Sequence, residues 1–252
     1  MINGNYHVKT DNYTFDVSVA KFDSMYTLDF GSIAHKRGAC IYMEYNPKLQ
    51  IIKLLSMQHK SRCSSNIKLP TRHGTREMLK AALKTSLYLF PEIKKVVLND
   101  VSSIDCDGIK GKHMFLCYYY MLIHGHTWYE QFGAKPTDKD VKRRVEEFKD
   151  LLKSRPEKGV FEFYKNENNA TTQFESWHEY FASKRDCNFY MKNKDEFQRV
   201  SKTHLVYSEW YIRSRDVKNY DVTINVTKAS NQSIVVQGGG FTSWPFIQSI
   251  KI

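Results

Sequence analysis

LPTRHGTREMLKAALKTSLYLFPEIKKVVLNDVSSIDCDGIKGKHMFLCYYYMLIHGHTWYEQFGA, running from Leu69 to Ala134, is the stretch whose reading decides the fold. Pro70 and Gly74 mark a turn. Met78, Leu79, Ala82, Leu83, Ser86, Leu87 and Phe90 then recur at three and four, the spacing by which a helix buries one face. Pro91 ends that helix, because it has no amide donor and its ring clashes with the preceding turn. Lys94 to Asn99 (KKVVLN) is a short β-branched run, predicted as a buried strand. Turn residues around Asp105, Asp107 and Gly108 lead into an aromatic helix from His113 to His124. The order is glycine turn, helix, strand, helix.

Upstream, the sequence reads as a strand meander. Tyr13 to Val19 alternates, as does Tyr26 to Phe30, and Gly38 to Tyr45 and Leu49 to Met57 flank the Asn46-Pro47 turn as a hairpin. His59 to Asn66 is polar and irregular. Without helices between the early strands a doubly wound fold is excluded, so the class is α/β in the α+β sense: a mixed sheet with flanking helices. Downstream, Thr137 or Asp138 caps a helix to Lys153 with Val141, Val145, Phe148, Leu151 and Leu152 on one face. Val160 to Tyr164 is predicted as a strand, Phe174 to Ser183 as a helix, and Asp195 to Ile212 as a mixed helical stretch. Val222 to Val226 and Ser233 to Gln237 are predicted as a hairpin. Gly238-Gly239-Gly240 then hinges an aromatic tail in which Phe241, Trp244 and Phe246 are the candidate partner contacts. The expected division is 1–136 for the sheet domain, 137–220 for a mainly helical extension, and 221–252 for the hairpin and tail.

The chain has 252 residues, is 41 % hydrophobic and 14 % aromatic, and so can bury a sizeable core. No run approaches the roughly 20 apolar residues of a membrane span. The opening residues have no apolar core of a secretory signal, and Cys40, Cys63, Cys106, Cys117 and Cys187 show no CxxC spacing. Reduced thiols in an intracellular setting are therefore expected, with the sequons at Asn12, Asn169, Asn225 and Asn231 left unmodified. The net charge of +11 favours acidic partners, whether nucleic acid, an anionic cofactor or an acidic protein surface, with its densest run at Lys139, Lys142, Arg143 and Arg144. His124 and His126 flank Gly125 at a helix end, where a histidine complements the dipole, so no metal is assigned to them. Tyr118, Tyr119 and Tyr120 read as packing residues, and Asp100, Asp105 and Asp107 as turn residues.

The central unit resembles the GNAT (N-acyltransferase) superfamily, a resemblance that covers residues 1–136. Leu49 to Met57 matches its strand, Arg72-His73-Gly74-Thr75-Arg76 its glycine turn, Lys80 to Leu89 its helix, Val96 to Leu98 its next strand, and Tyr129-Glu130-Gln131-Phe132-Gly133-Ala134 its closing signature. HGHTWYEQFGA following VLNDVSSI is also similar to GNAT-like proteins of large DNA viruses. The resemblance implies that Arg72 and the amides of Gly74, Thr75 and Arg76 hold the pyrophosphate of acetyl-CoA, an anion that a helix N-terminus favours. It also implies Tyr129 as the acid that protonates the leaving thiolate. Glu44 is the candidate base. Arg76 departs from the family by standing where a second small residue belongs, and Ser102 to Gly111 is an insertion beside the cofactor groove.

Two functions are therefore open. One is a degenerate GNAT-fold protein serving as a structural or interaction component, such as a minor capsid protein of a large DNA virus, located inside the cell or in the virion, with other proteins as partners and no cofactor. The other is an active acetyl-CoA-dependent N-acetyltransferase. A basic nucleic-acid-binding protein is a third reading, resting on charge. An open groove beside Gly74 and Tyr129 would mark the enzyme.

Overall fold

Period-two alternation builds the first sheet. A computed structural model describes residues 2–31, 39–58, 61–70, 73–100, 103–105, 113–157, 159–166, 174–184, 187–205, 208–229 and 249–250. Strands β1 (Gly4–Lys9), β2 (Thr14–Phe22), β3 (Met25–Phe30), β4 (Ile41–Asn46) and β5 (Ile51–Met57) form an antiparallel meander. Tyr6 and Val8, Phe15, Val17 and Val19, Leu28 and Phe30, and Ile41, Met43 and Tyr45 are buried on one face. Between them His7, Asp16, Ser18, Asp29 and Glu44 give the other face its polar character. The β4–β5 register slips between Tyr42 and Met43, which face Ser56 and Leu54, leaving Leu55 as an extra residue. That bulge changes the phase of β5, so that burial passes from Ile52 and Leu54 to Met57.

The chain is an α/β protein of the α+β kind, as its patterning implies. It divides into two compact units that are discontinuous in sequence: residues 1–96, 213–248 and 252, and residues 97–212 with 249–251. The expected boundaries at 136 and 220 fall inside these units.

In the first unit the meander is extended past β1 by β11 (Asn225–Lys228), which pairs antiparallel from Lys9↔Asn225 to Tyr6↔Lys228. Beyond β5 comes β6 (Lys95–Asn99), on which the chain passes to the second unit. Helix α1 (His73–Leu89) covers the apolar face: the Ser86 hydroxyl lies 3.7 Å from Met43 Sδ, and the Phe90 ring lies 4.5 Å from Tyr45 and 5.0 Å from Tyr26. Ala81 and Thr85 are buried as well as the predicted stripe, so α1 is enclosed on more than one side. The short α6 (Ser214–Lys218) packs on it. Lys80 reaches Asp221, and Lys84 donates to the Val222 carbonyl at 2.8 Å.

The second unit contains β7 (Ser103–Asp105), β8 (His113–Phe115), α2 (Leu116–His124), β9 (Lys135–Pro136), α3 (Lys139–Lys153), α4 (Trp177–Ser183), α5 (Cys187–Ser201) and most of β10 (Glu209–Arg213). Asp138 caps α3 by accepting from the amides of Asp140 and Val141, and Val145, Phe148 and Leu152 are buried. An aromatic core follows: Phe161 lies 4.7 Å from Trp177 and 5.3 Å from Phe181, and Phe181 lies 5.5 Å from Phe197. Tyr118 donates from its hydroxyl to the Thr203 carbonyl at 3.1 Å.

Several expectations are corrected. Val160 to Tyr164 is not a strand. A 3-10 helix spans Glu162–Asn166, because Phe161 and Tyr164 are buried at a spacing of three. The helix expected over Asp195 to Ile212 breaks after Ser201 at Lys202, whose φ is 52°, and Trp210 and Ile212 then alternate inward on β10. The aromatic helix begins at Leu116 rather than His113, since His113–Phe115 pairs with β7. Asn225–Lys228 pairs with β1, and the partner expected for this stretch in a hairpin, Ser233 to Gln237, lies outside the described residues. The thiols are not all reduced. Cys40 and Cys63 form a disulfide with Cα atoms 5.8 Å apart, Cys187 is also disulfide-bonded, and Cys117 is a buried free thiol.

Candidate functional site

The glycine turn sits where three segments of the first unit meet: the β1–β2 turn, the irregular loop 61–70, and the first turn of α1. Hydrogen bonds tie the loop to β2, with the Ser65 amide donating to the Thr14 carbonyl and the Thr14 amide to Asn66 Oδ1, both at 2.8 Å. Glu77 of α1 accepts from Thr10 Oγ1 at 2.6 Å and from Asn12 at 3.3 Å. The Cys40–Cys63 bond anchors the loop to the start of β4. Its last residues then press on the helix. A Cβ placed on Gly74 would lie 2.7 Å from Leu69 Cγ and 2.9 Å from Pro70 Cδ. The close approach that glycine permits is therefore used by Leu69 and Pro70 of the same chain. Leu69 is buried, as is Thr75. Arg76 points into solvent and does not fill the turn. Arg72 lies outside the described residues.

Glu44 belongs to a different surface. Met43 and Tyr45 face α1, so Glu44 projects from the opposite face of the sheet, where Thr27 and Lys53 are its cross-strand neighbours. The Tyr42 hydroxyl donates to Glu44 Oε1 at 3.3 Å, and Asp29 stands across the strand from Tyr42. Burial holds the Asp29 carboxyl above the usual carboxylate range. Burial, then the charges of Glu44 and Asp29, push the Tyr42 phenol up to about 12, so it stays a donor at neutral pH.

Tyr129 lies in the second unit, whereas Gly74, Thr75 and Arg76 lie in the first. Tyr129 is 4 % exposed, with its ring edge-on to Trp128 at 4.8 Å. Its carbonyl accepts the amides of Phe132 and Ala134, and Gly133 closes the turn at φ 80°. The Tyr129–Ala134 signature is thus a tight 3-10 turn closed by a left-handed glycine. A groove of about 960 Å³ in this unit is lined by Arg144, Arg199 and Lys202 against Asp138, Asp195 and Glu209, and Tyr129 is not part of its wall.

The other singled-out residues take structural places. His178 Nδ1 bonds the Leu122 carbonyl at 2.9 Å, closing the end of α2 beside Gly125, and the rings of His124 and His126 stack 6.0 Å apart. Among the described residues no group of three or more His, Cys, Asp or Glu side chains is arranged to hold a metal. No described helix is long and apolar enough to cross a membrane. The basic run of α3 is compensated locally. Arg143 bonds Glu147 at 2.7 Å and Asp140 at 3.2 Å, and Lys153 bonds Asp150 at 3.1 Å. Burial alone would lower the Lys149 pKa, but the hydrogen bonds it donates to Glu130 and Glu146 more than offset this and leave it raised. Phe241, Trp244 and Phe246 lie outside the described residues, while β12 (Ser249–Ile250) runs parallel to β7 with Ser249 opposite Ser103.

Sequence reasoning missed the Cys40–Cys63 bond and the Leu69–Pro70 contact. The apolar Leu69 directly before Pro70, in a mostly polar loop, was the available signal for the second. Comparison with protein-family models, with curated proteins and with solved structures finds no match to this chain.

Proposed function

We propose that this chain is a GNAT-like α/β protein that serves as a structural or interaction component of a larger protein assembly, such as a minor capsid protein in the virion of a large DNA virus, and does not work as a transferase. The observation that carries this reading is the packing of Leu69 and Pro70 against Gly74, which occupies the approach an acyl-CoA pyrophosphate needs. Glu44, on the sheet face away from α1, supports it. The disulfides favour a virion surface or another oxidising setting over the reducing cytosol.

Calorimetric titration of the full chain with acetyl-CoA tests this. No heat of binding is expected. Micromolar affinity, about −8 kcal/mol, would overturn the reading. The transferase remains the second reading, favoured by the half-buried Asp29, Tyr42 and Glu44 cluster, which could accept a proton from an amine. Acetyl transfer to a polyamine, lost in Glu44→Gln, would establish it.

A further inference from the structure

The positive charge of this protein belongs almost entirely to one unit. The first unit carries nineteen Lys and Arg against nine Asp and Glu, whereas the second carries nineteen against eighteen. Such asymmetry points to a polyanion partner for the basic half. Within the first unit, the junction at the N-terminal end of α1 gathers Lys9 at the end of β1, Arg62 and Lys68 on the loop, and Arg76 on the helix, all exposed. Hydrogen bonds between these segments and the Cys40–Cys63 bond hold the cations on a preset framework. Of the carboxylates nearby, Glu77 is engaged by Thr10 and Asn12, and Asp11 is exposed in the β1–β2 turn.

We propose that this end of the first unit binds the phosphate backbone of a nucleic acid. The cations are spread over three segments, which suits a row of phosphates, and Leu69 and Pro70 occupy the turn where a single pyrophosphate would sit. Ser61, an uncharged donor of the kind that contacts phosphates, is exposed beside Arg62. A protein interface would need an apolar or aromatic centre, and the loop's one exposed large apolar side chain is Ile67. Binding is therefore independent of base sequence and strongly dependent on salt.

The test is fluorescence anisotropy of a labelled 20-base-pair duplex with the full oxidised chain between 50 and 200 mM KCl. Four neutralised phosphates predict a slope of about −3.6 in log K against log salt, a loss of roughly 100-fold over that range. Arg62→Ala, Lys68→Ala and Arg76→Ala should each flatten the slope by about 1. Lys139→Ala/Lys142→Ala on α3 should leave it unchanged. No binding at 50 mM, a slope insensitive to the first set, or equal flattening by the α3 pair would each overturn the proposal. So would tighter binding to phosphatidylserine vesicles than to the duplex, which would assign the surface to lipid headgroups. The proposal deepens the interaction-module reading but has a separate readout: acetyl-CoA binding would refute that reading and leave the duplex result standing.

Discussion

Gly74→Ala is the sharpest probe of the filled turn. In an ordinary helix interior this substitution stabilises by about 1 kcal/mol, because alanine loses less backbone freedom on folding. At Gly74 the new Cβ would meet Leu69 Cγ at 2.7 Å, Leu69 Cδ1 at 2.8 Å and Pro70 Cδ at 2.9 Å. The proline ring cannot rotate away, and Leu69, only 2 % exposed, can move only by giving up its burial. Overpacking of this kind costs about 1–3 kcal/mol, which set against the helix term leaves a net loss of up to about 2 kcal/mol. The assay is urea unfolding followed by far-UV circular dichroism, since Trp128, Trp177 and Trp210 all report on the second unit. At a slope of about 2 kcal/mol per molar, the midpoint should fall by up to about 1 M. In a Leu69→Ala background much of the clash disappears, so Gly74→Ala should cost about 1 kcal/mol less there. A Gly74→Ala chain more stable than the parent, or the same cost in both backgrounds, would show that Leu69 and Pro70 do not occupy the glycine's space.

Replacing both Cys40 and Cys63 by Ser opens a crosslink with a sequence separation of 23 and should cost about 3 kcal/mol, read as the difference in urea midpoint under non-reducing conditions. Asp29→Asn should stabilise the chain at pH 7, because burial raises the folded-state pKa and penalises the carboxylate. The parent's relative stability is greatest below the unfolded pKa and falls as pH rises through the folded one, so the gain should fade on acidification; an equal gain at pH 3 would refute burial as its cause. Tyr42 follows the same sign: its contribution is present below pH 10 and lost as pH rises to about 12, so Tyr42→Phe should flatten the alkaline fall in stability, and an unchanged fall would refute the assignment.

Local periodicity made much of the fold legible. Alternation located β2 to β5, the three-and-four spacing located α1, and Asp138 before an amphipathic run located α3 and its cap. It failed where two periods compete over a short span, as at Phe161 to Tyr164, and where a helix ends inside a polar stretch without glycine, as at Lys202. Of the candidate site, the sequence located Gly74 at the opening of a helix, but not the glycine-closed turn that holds Tyr129, nor what surrounds either residue.

Composition and spacing alone determined the α+β class, helix α1 and strand β6 of the central stretch, and the large positive charge, because each is written in residues close together in the chain. Tertiary structure decided that Cys40 pairs with Cys63, that Leu69 and Pro70 take the space beside Gly74, that Glu44 faces away from α1, and that residues 213–229 return to the first unit. These depend on which distant segments pack together. Packing is set by the shape and burial of whole faces, which no local period encodes.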